Sequence, residues 1–144
     1  MARWISAELR QIIADRANHL CEYCLMAEAD TFYGCEVDHI ISIKQGGSSD
    51  LNNLAYACAL CNRAKGSDVG SLTSGGEFTR FFNPRNDRWA EHFRLEGATI
   101  KPLTPIGEVT AHIFAFNDSA RLHEREELMR FGAYPNEAAI ALLD

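Results

Sequence analysis

Leu9, Ile12 and Ile13 recur at helical spacing, and Ser6 stands just ahead of them as an N-cap, so residues 7–18 predict a helix. The period then changes. Cys35, Val37, Ile40, Ile41 and Ile43 alternate or run together and are rich in β-branched residues, which predicts a strand over 35–43. Residues 45–50 (Gln-Gly-Gly-Ser-Ser-Asp) have loop composition. Residues 54–57 predict a short second strand, and 60–65 the start of a helix that Gly66 ends. Strand, long loop, strand, helix make a ββα unit.

Beyond it, residues 69–76 are rich in Gly and Ser and read as a flexible connection. Segments 91–95 and 98–103 flank Glu96-Gly97, a two-residue hairpin turn. Thr104-Pro105 opens a helix with Pro at its first position, running to about residue 116. Asn117-Asp118 caps a further helix over roughly 119–131, which Gly132 ends, and 136–143 form a last short one. The expectation is one α+β domain over 1–144, with a core at 18–67 and a hairpin-plus-helices region at 77–144.

Two Cys-x-x-Cys pairs bracket the first strand: Cys21-Glu22-Tyr23-Cys24 and Cys58-Ala59-Leu60-Cys61. Each puts two sulfurs on one tight turn, and two such turns close a tetrahedral four-cysteine zinc site that clamps the intervening segment. Glu22 and Tyr23 inside the first turn are expected at the surface. A thioredoxin-like redox role would need a βαβ context that is missing. Cys35, the fifth cysteine, reads as a small buried hydrophobe on its strand.

Composition narrows the class. The chain has 144 residues, 47% of them hydrophobic, enough for one compact core. No apolar run nears the ~20 residues of a membrane span, and the first eight residues have no signal-peptide pattern. A cytoplasmic protein is expected, where paired cysteines act as metal ligands before disulfides.

The net charge is −6, awkward for a partner of nucleic acid, and a zinc ion held by four thiolates adds −2. The distribution matters more. Residues 1–60 carry four basic and eight acidic side chains, and 107–144 carry three and seven. Residues 61–94 carry six, namely Arg63, Lys65, Arg80, Arg85, Arg88 and Arg94, against four acids, and form the net-positive stretch. Arg63, Lys65, Arg85 and Arg88 are its candidate phosphate contacts. Lys65 also suits the C-terminus of its helix.

Asp38-His39 sits on the predicted first strand, where neighbours point to opposite faces. A metal on the Asp38 side and a water on the His39 side of one phosphate would use both. Phosphodiester hydrolysis needs that division: a general base activates water while a divalent cation neutralises charge on the phosphoryl and leaving oxygens. Asn62, at the start of the helix after the second cysteine pair, is in reach as a second oxygen ligand for Mg²⁺ or Mn²⁺.

Asp38-His39-Ile40-Ile41, Gly46-Gly47, Asp50-Leu51-x-Asn53-Leu54 and Cys58-x-x-Cys61-Asn62-x-x-Lys65-Gly66 together resemble the HNH endonuclease family, zinc-knuckle subtype. The resemblance covers roughly a third of the chain. It implies a ββα-metal (His-Me finger) fold that cuts nucleic acid, with DNA the expected substrate, around one catalytic Mg²⁺, Mn²⁺ or other divalent ion, leaving 5′-phosphate and 3′-hydroxyl ends. By position, His39 is the general base, Asp38 and Asn62 hold the divalent ion, and Asn53 ties the long loop to the first strand and orients His39. The last motif position is often His, so this chain is an H-N-N variant. An Asn there should hold the metal more loosely than an imidazole.

The segment from Phe81 to Phe93, continuing through Leu103-Thr104-Pro105-x-Gly107, is similar to a C-terminal extension of stand-alone bacterial HNH proteins. It interleaves arginines with Phe81, Phe82, Trp89 and Phe93. These aromatics are either stacking platforms for bases or core, and Arg85 and Arg88 either phosphate clamps or a solvated rim. The rival to a nuclease is a catalytically idle zinc-ribbon module that binds nucleic acid or protein. The intact Asp38, His39, Asn53 and Asn62 set argues against it, and the acidic charge is its best support.

Overall fold

A computed structural model describes residues 5–144; the first four residues, part of the leading stretch read for a signal sequence, lie outside the described ones. The first helix, α1 (Ala7–Arg16), is capped by Ser6, whose Oγ accepts from Leu9 N at 3.1 Å. Ile13 is fully buried, but Ile12 is exposed, so the helix turns a narrower apolar face inward than its three large residues suggest. Arg10 donates to Cys35 O and Arg16 to Leu51 O, which fastens α1 across the hairpin that follows.

That hairpin is β1 (Cys35–His39) paired antiparallel with β2 (Leu54–Cys58), with Asp38 opposite Ala55 and His39 opposite Leu54. β1 is shorter than the apolar run predicts. Ile40 still donates its N–H to Asn53 O, but the chain then leaves the ladder and turns through a 3-10 segment (Ile43–Gln45). β2 is buried along its whole length, and α2 (Ala59–Lys65) leaves it directly, ending at Gly66. The ββα unit is therefore present, and the fold is α+β.

The predicted flexible connection is instead structured. β3 (Gly70–Leu72) pairs with β4 (Phe78–Arg80), and a Cβ at Gly70 would lie 2.4 Å from Thr79 O. Glycine there permits close strand approach rather than mobility. After α3 (Trp89–His92), β5 (Phe93–Glu96) and β6 (Thr99–Pro102) pair with Glu96 opposite Thr99. The turn is thus Gly97-Ala98, one residue later than expected, with Gly97 supplying the positive φ of 58° at the first turn position. Three helices complete the chain: α4 (Pro105–Ile113), capped by Thr104, α5 (Ser119–Arg130) and α6 (Glu137–Ile140).

Phe81, Phe82, Trp89 and Phe93 are all buried, and they join Phe114 and Phe116 in one aromatic cluster. These rings are core, not stacking platforms. Tyr23 enters the same cluster, its ring 4.8 Å from Phe114, so the first cysteine turn shares a core with the C-terminal region.

The loop between β1 and β2 is pinned by one side chain. Asn53 Oδ1 accepts from Ile41 N at 2.9 Å, and its Nδ2 donates to Ile41 O at 2.9 Å and Ser48 O at 2.7 Å. Gly47 passes so close that a Cβ there would lie 1.7 Å from Ile41 O and 2.9 Å from Asn53 Nδ2. Gly47→Ala must therefore displace the loop, and it should cost about 1–3 kcal/mol in urea unfolding. An unchanged midpoint would show that the loop is held by something else.

Candidate active site

The two cysteine turns meet. Cys21 and Cys24 lie on the turn after α1, Cys58 caps α2, and Cys61 lies in its first turn. All four are buried, with their sulfurs within 4.8 Å of one another and no disulfide among them. Cys24 Sγ and Cys58 Sγ are 3.8 Å apart. Tetrahedral Zn–S bonds of about 2.3 Å give an edge of about 3.8 Å. Each turn also aims an N–H at its own first sulfur, Cys24 N to Cys21 Sγ and Cys61 N to Cys58 Sγ, both at 3.4 Å.

Hydrogen bonds from the other three sulfurs hold the Cys24 thiol well below its ordinary pKa. Burial pushes Cys21 and Cys61 well above theirs. One thiolate is favoured by the cluster itself, whereas further ionisation calls for a cation. These four cysteines could hold a zinc ion. Arg121, on α5, points Nη2 at Cys61 Sγ, 3.2 Å away, while Nη1 donates to Phe114 O at 2.7 Å. Burial works against its charge, but the thiols of Cys61, Cys24 and Cys58 outweigh that and raise its pKa. Nothing in the periodicity of α5 announced this residue.

Asp38 faces inward from β1. Its Oδ2 accepts from Tyr23 OH at 2.7 Å and its Oδ1 from Lys65 Nζ at 3.1 Å. Lys65 is 1% exposed and also donates to His39 O at 2.9 Å. Burial pushes the Asp38 carboxyl upward, against the pull of Lys65 and the Tyr23 hydroxyl. Two corrections follow. Lys65 is a buried partner of Asp38, not a phosphate contact, because its position three residues after Asn62 puts it on the α2 face that packs on β1. Tyr23 is fully buried, not at the surface, because the first cysteine turn is covered by the C-terminal region. Trp89 Nε1 donates to Tyr23 O, and Tyr134 OH donates to Cys24 O.

His39 faces the other way and is half-buried, with Nε2 3.0 Å from Ser49 Oγ. A hydroxyl can donate or accept, so this contact steadies the ring in either protonation state. Asn62 donates Nδ2 to Glu36 Oε2 at 2.8 Å. Glu36 was missed, although period-2 alternation puts it on the same strand face as Asp38. Asp38, His39 and Asn62 line one cavity of about 260 Å³ together with Ser42, Lys44 and Ser67. Asn53 lies outside that lining and acts on the backbone just beyond His39.

Asp38 and Asn62 are the side chains here that could offer oxygens to a divalent cation. Asp38 would do so from a buried position in which Tyr23 and Lys65 already engage its two oxygens. Asn62 turns its amide nitrogen to Glu36, which leaves the carbonyl oxygen as its donor atom.

Of the remaining candidate phosphate contacts, Arg63 is exposed on α2. Arg85 is not available. It pairs with Glu22, both side chains 13% exposed, so Glu22 is also removed from the surface where it was expected. Arg88 stays at the rim, 67% exposed, donating to Asp144 O and lying 3.6 Å from Glu91. His92 bonds Thr104 Oγ1, the cap of α4.

Residues 21–68 match the model of the HNH family, described as HNH endonuclease. The match spans both cysteine turns, both strands and α2. This segment carries the match to an HNH endonuclease domain, and its clustered cysteines are consistent with the zinc-knuckle form. No curated protein and no solved structure matches the chain.

The Lys65–Asp38 pair lends itself to a direct test. Lys65→Met leaves a buried carboxylate without its cation, which should cost about 3–5 kcal/mol. Adding Asp38→Asn should restore most of that. If the single variant melts like the parent, the two charges are not coupled.

Proposed function

We propose that this protein is a metal-dependent endonuclease, with nucleic acid as substrate and DNA the expected form. One observation carries the reading: within an HNH-matching segment, Asp38, His39 and Asn62 open onto a single cavity. His39 accepts the proton of the attacking water. Its ring is steadied by Ser49, and the backbone beyond it by Asn53. Oxygens of Asp38 and Asn62 would hold a Mg²⁺ or Mn²⁺ ion, which would supply charge neutralisation for phosphodiester cleavage. Lys65 and Tyr23 orient Asp38, and the Lys65 charge favours its carboxylate form. Zinc held by Cys21, Cys24, Cys58 and Cys61 is structural in this reading, since four protein ligands leave it no open position.

Incubation of plasmid and single-stranded DNA with Mg²⁺ or Mn²⁺, with and without a chelator, tests the reading. His39→Ala should lose cleavage by roughly 10²–10⁴-fold while still binding nucleic acid. Asp38→Ala should raise the metal concentration needed, and Asn62→Ala should do so less. Wild-type rates from His39→Ala would remove the assigned base, and no cleavage by the parent under any condition would favour the idle zinc-ribbon module.

Elemental analysis should find about one zinc per chain. Cys58→Ser should unfold at markedly lower temperature, because structural zinc contributes folding free energy. Arg121→Met should release zinc faster to a chromogenic chelator. A stable, zinc-free parent protein would eliminate the structural-zinc assignment.

A further inference from the structure

Phe32 and Tyr33 are successive aromatics on the approach to β1, and they are 87% and 66% exposed. Their rings meet edge to face, with centroids 4.7 Å apart. Leu72 and Phe78 form another exposed apolar pair, opposite each other across β3 and β4. The Phe32–Tyr33 pair differs in its company. The Arg63 guanidinium lies 5.9 Å from the Tyr33 ring centroid. A cavity of about 330 Å³ opens beside the pair, lined by Phe32, Tyr33, Leu60, Arg121 and Glu124 among others. That volume is at the lower end of the small-ligand range of about 300–1,000 Å³.

The position is as informative as the composition. Arg63 follows Asn62 directly on α2, turned about 100° around the helix. Glu36, which holds the Asn62 amide, is three residues beyond Tyr33 on the same chain segment. The aromatic pair is thus linked to the candidate active site through β1 and α2, with the pair just ahead of the Cys35 end of β1 and His39 at its other end.

We infer that Phe32 and Tyr33 form a stacking platform for an unpaired nucleobase of the bound strand, removed from the cleavage position by the length of β1, with Arg63 contacting the phosphate that adjoins this base. The inference rests on the nuclease reading and narrows its substrate to nucleic acid with a single-stranded stretch. Bases in an intact duplex are stacked on one another and cannot reach a side chain outside the helix. An aromatic face takes any base, since every base has a π-face. Arg121 and Arg125 share the cavity wall but are buried and engaged by a sulfur and backbone carbonyls, whereas Glu124 can accept hydrogen bonds from the amino groups of a base. The cavity thus suits a base, and Arg63, over the Tyr33 ring, suits the backbone.

The test is equilibrium binding without added divalent ions, so that nothing is cut. The probes are a single-stranded 12-mer carrying 2-aminopurine and a blunt duplex of the same sequence. The parent should bind the single strand more tightly and quench the 2-aminopurine. The double variant Phe32→Ala/Tyr33→Ala alters exposed side chains and should fold normally. It should bind the single strand roughly 5- to 100-fold more weakly, lose the quench, and keep its salt slope. Arg63→Gln should instead lower the log–log salt slope by about 0.7, the loss of one single-strand phosphate contact.

If the double variant binds the single strand within twofold of the parent, the platform is overturned while the nuclease reading stands. A parent that cleaves but binds the duplex better and gives no quench overturns it likewise. A parent that binds neither probe brings down the nuclease reading, and the platform with it.

Discussion

Four buried sulfurs within 4.8 Å of one another tie the turn after α1 to the junction of β2 and α2. Most of the remaining order is hung from that tie. Tyr23 lies between the first two cysteines, and holding them in place presents its hydroxyl to Asp38 and its ring to Phe114. Trp89 and Tyr134 close over the same turn through its backbone carbonyls. The C-terminal region is thereby packed against the cysteine turn itself, and Arg121 reaches the sulfurs from that side. Loosening the cluster would release the two halves together.

The second constraint is the alternation of β1. Asp38 and His39 are neighbours that cannot share a face, so one enters the interior and the other meets the loop. Each side is fixed by different chemistry. On the inner side a buried ion pair and a phenol hold the carboxylate, and Lys65 also holds the His39 carbonyl, joining the two residues through one ammonium. On the outer side the long loop brings Ser49 to the ring, and Asn53 and Gly47 set where that loop runs. Burying a charge pair is a poor route to stability, since desolvation offsets much of the attraction. Its retention here is better understood as orientation of Asp38.

Local signals were legible in the sequence and long-range ones were not. Ser6, Thr104 and the residues of the ββα unit announce themselves because caps, periodicity and Cys-x-x-Cys spacing are properties of adjacent positions. The partners of charges are not. Glu22 looks like surface because it is charged and lies in a turn, yet its partner Arg85 is far along the chain. Lys65 reads as a helix-terminal cation until α2 is packed on β1. α5 has no apolar stripe, and the residues it buries are Arg121 and Arg125, which neutralise sulfurs and satisfy the Phe114, Phe116 and Ala98 carbonyls. Glycine misled in the opposite sense: at Gly70 it marks strand contact, where composition suggested a loose connection.

Counting charges over 61–94 made that stretch the natural approach for a polyanion, but the folded protein withdraws much of it. Lys65 is spent on the buried Asp38 and Arg85 on the mostly covered Glu22, Arg80 is held by Asp87, and Arg94 by Glu96. Arg63 stands clear of these pairs, exposed beside two exposed aromatic rings. With few cations to release counterions, a protein of net charge −6 cannot depend mainly on phosphate contacts. Contact with unpaired bases on the proposed platform would be the complementary source of affinity, less sensitive to salt because stacking displaces no counterions. The acidity that argued for an idle module is thus compatible with a nuclease that selects its substrate by unstacked bases more than by backbone charge.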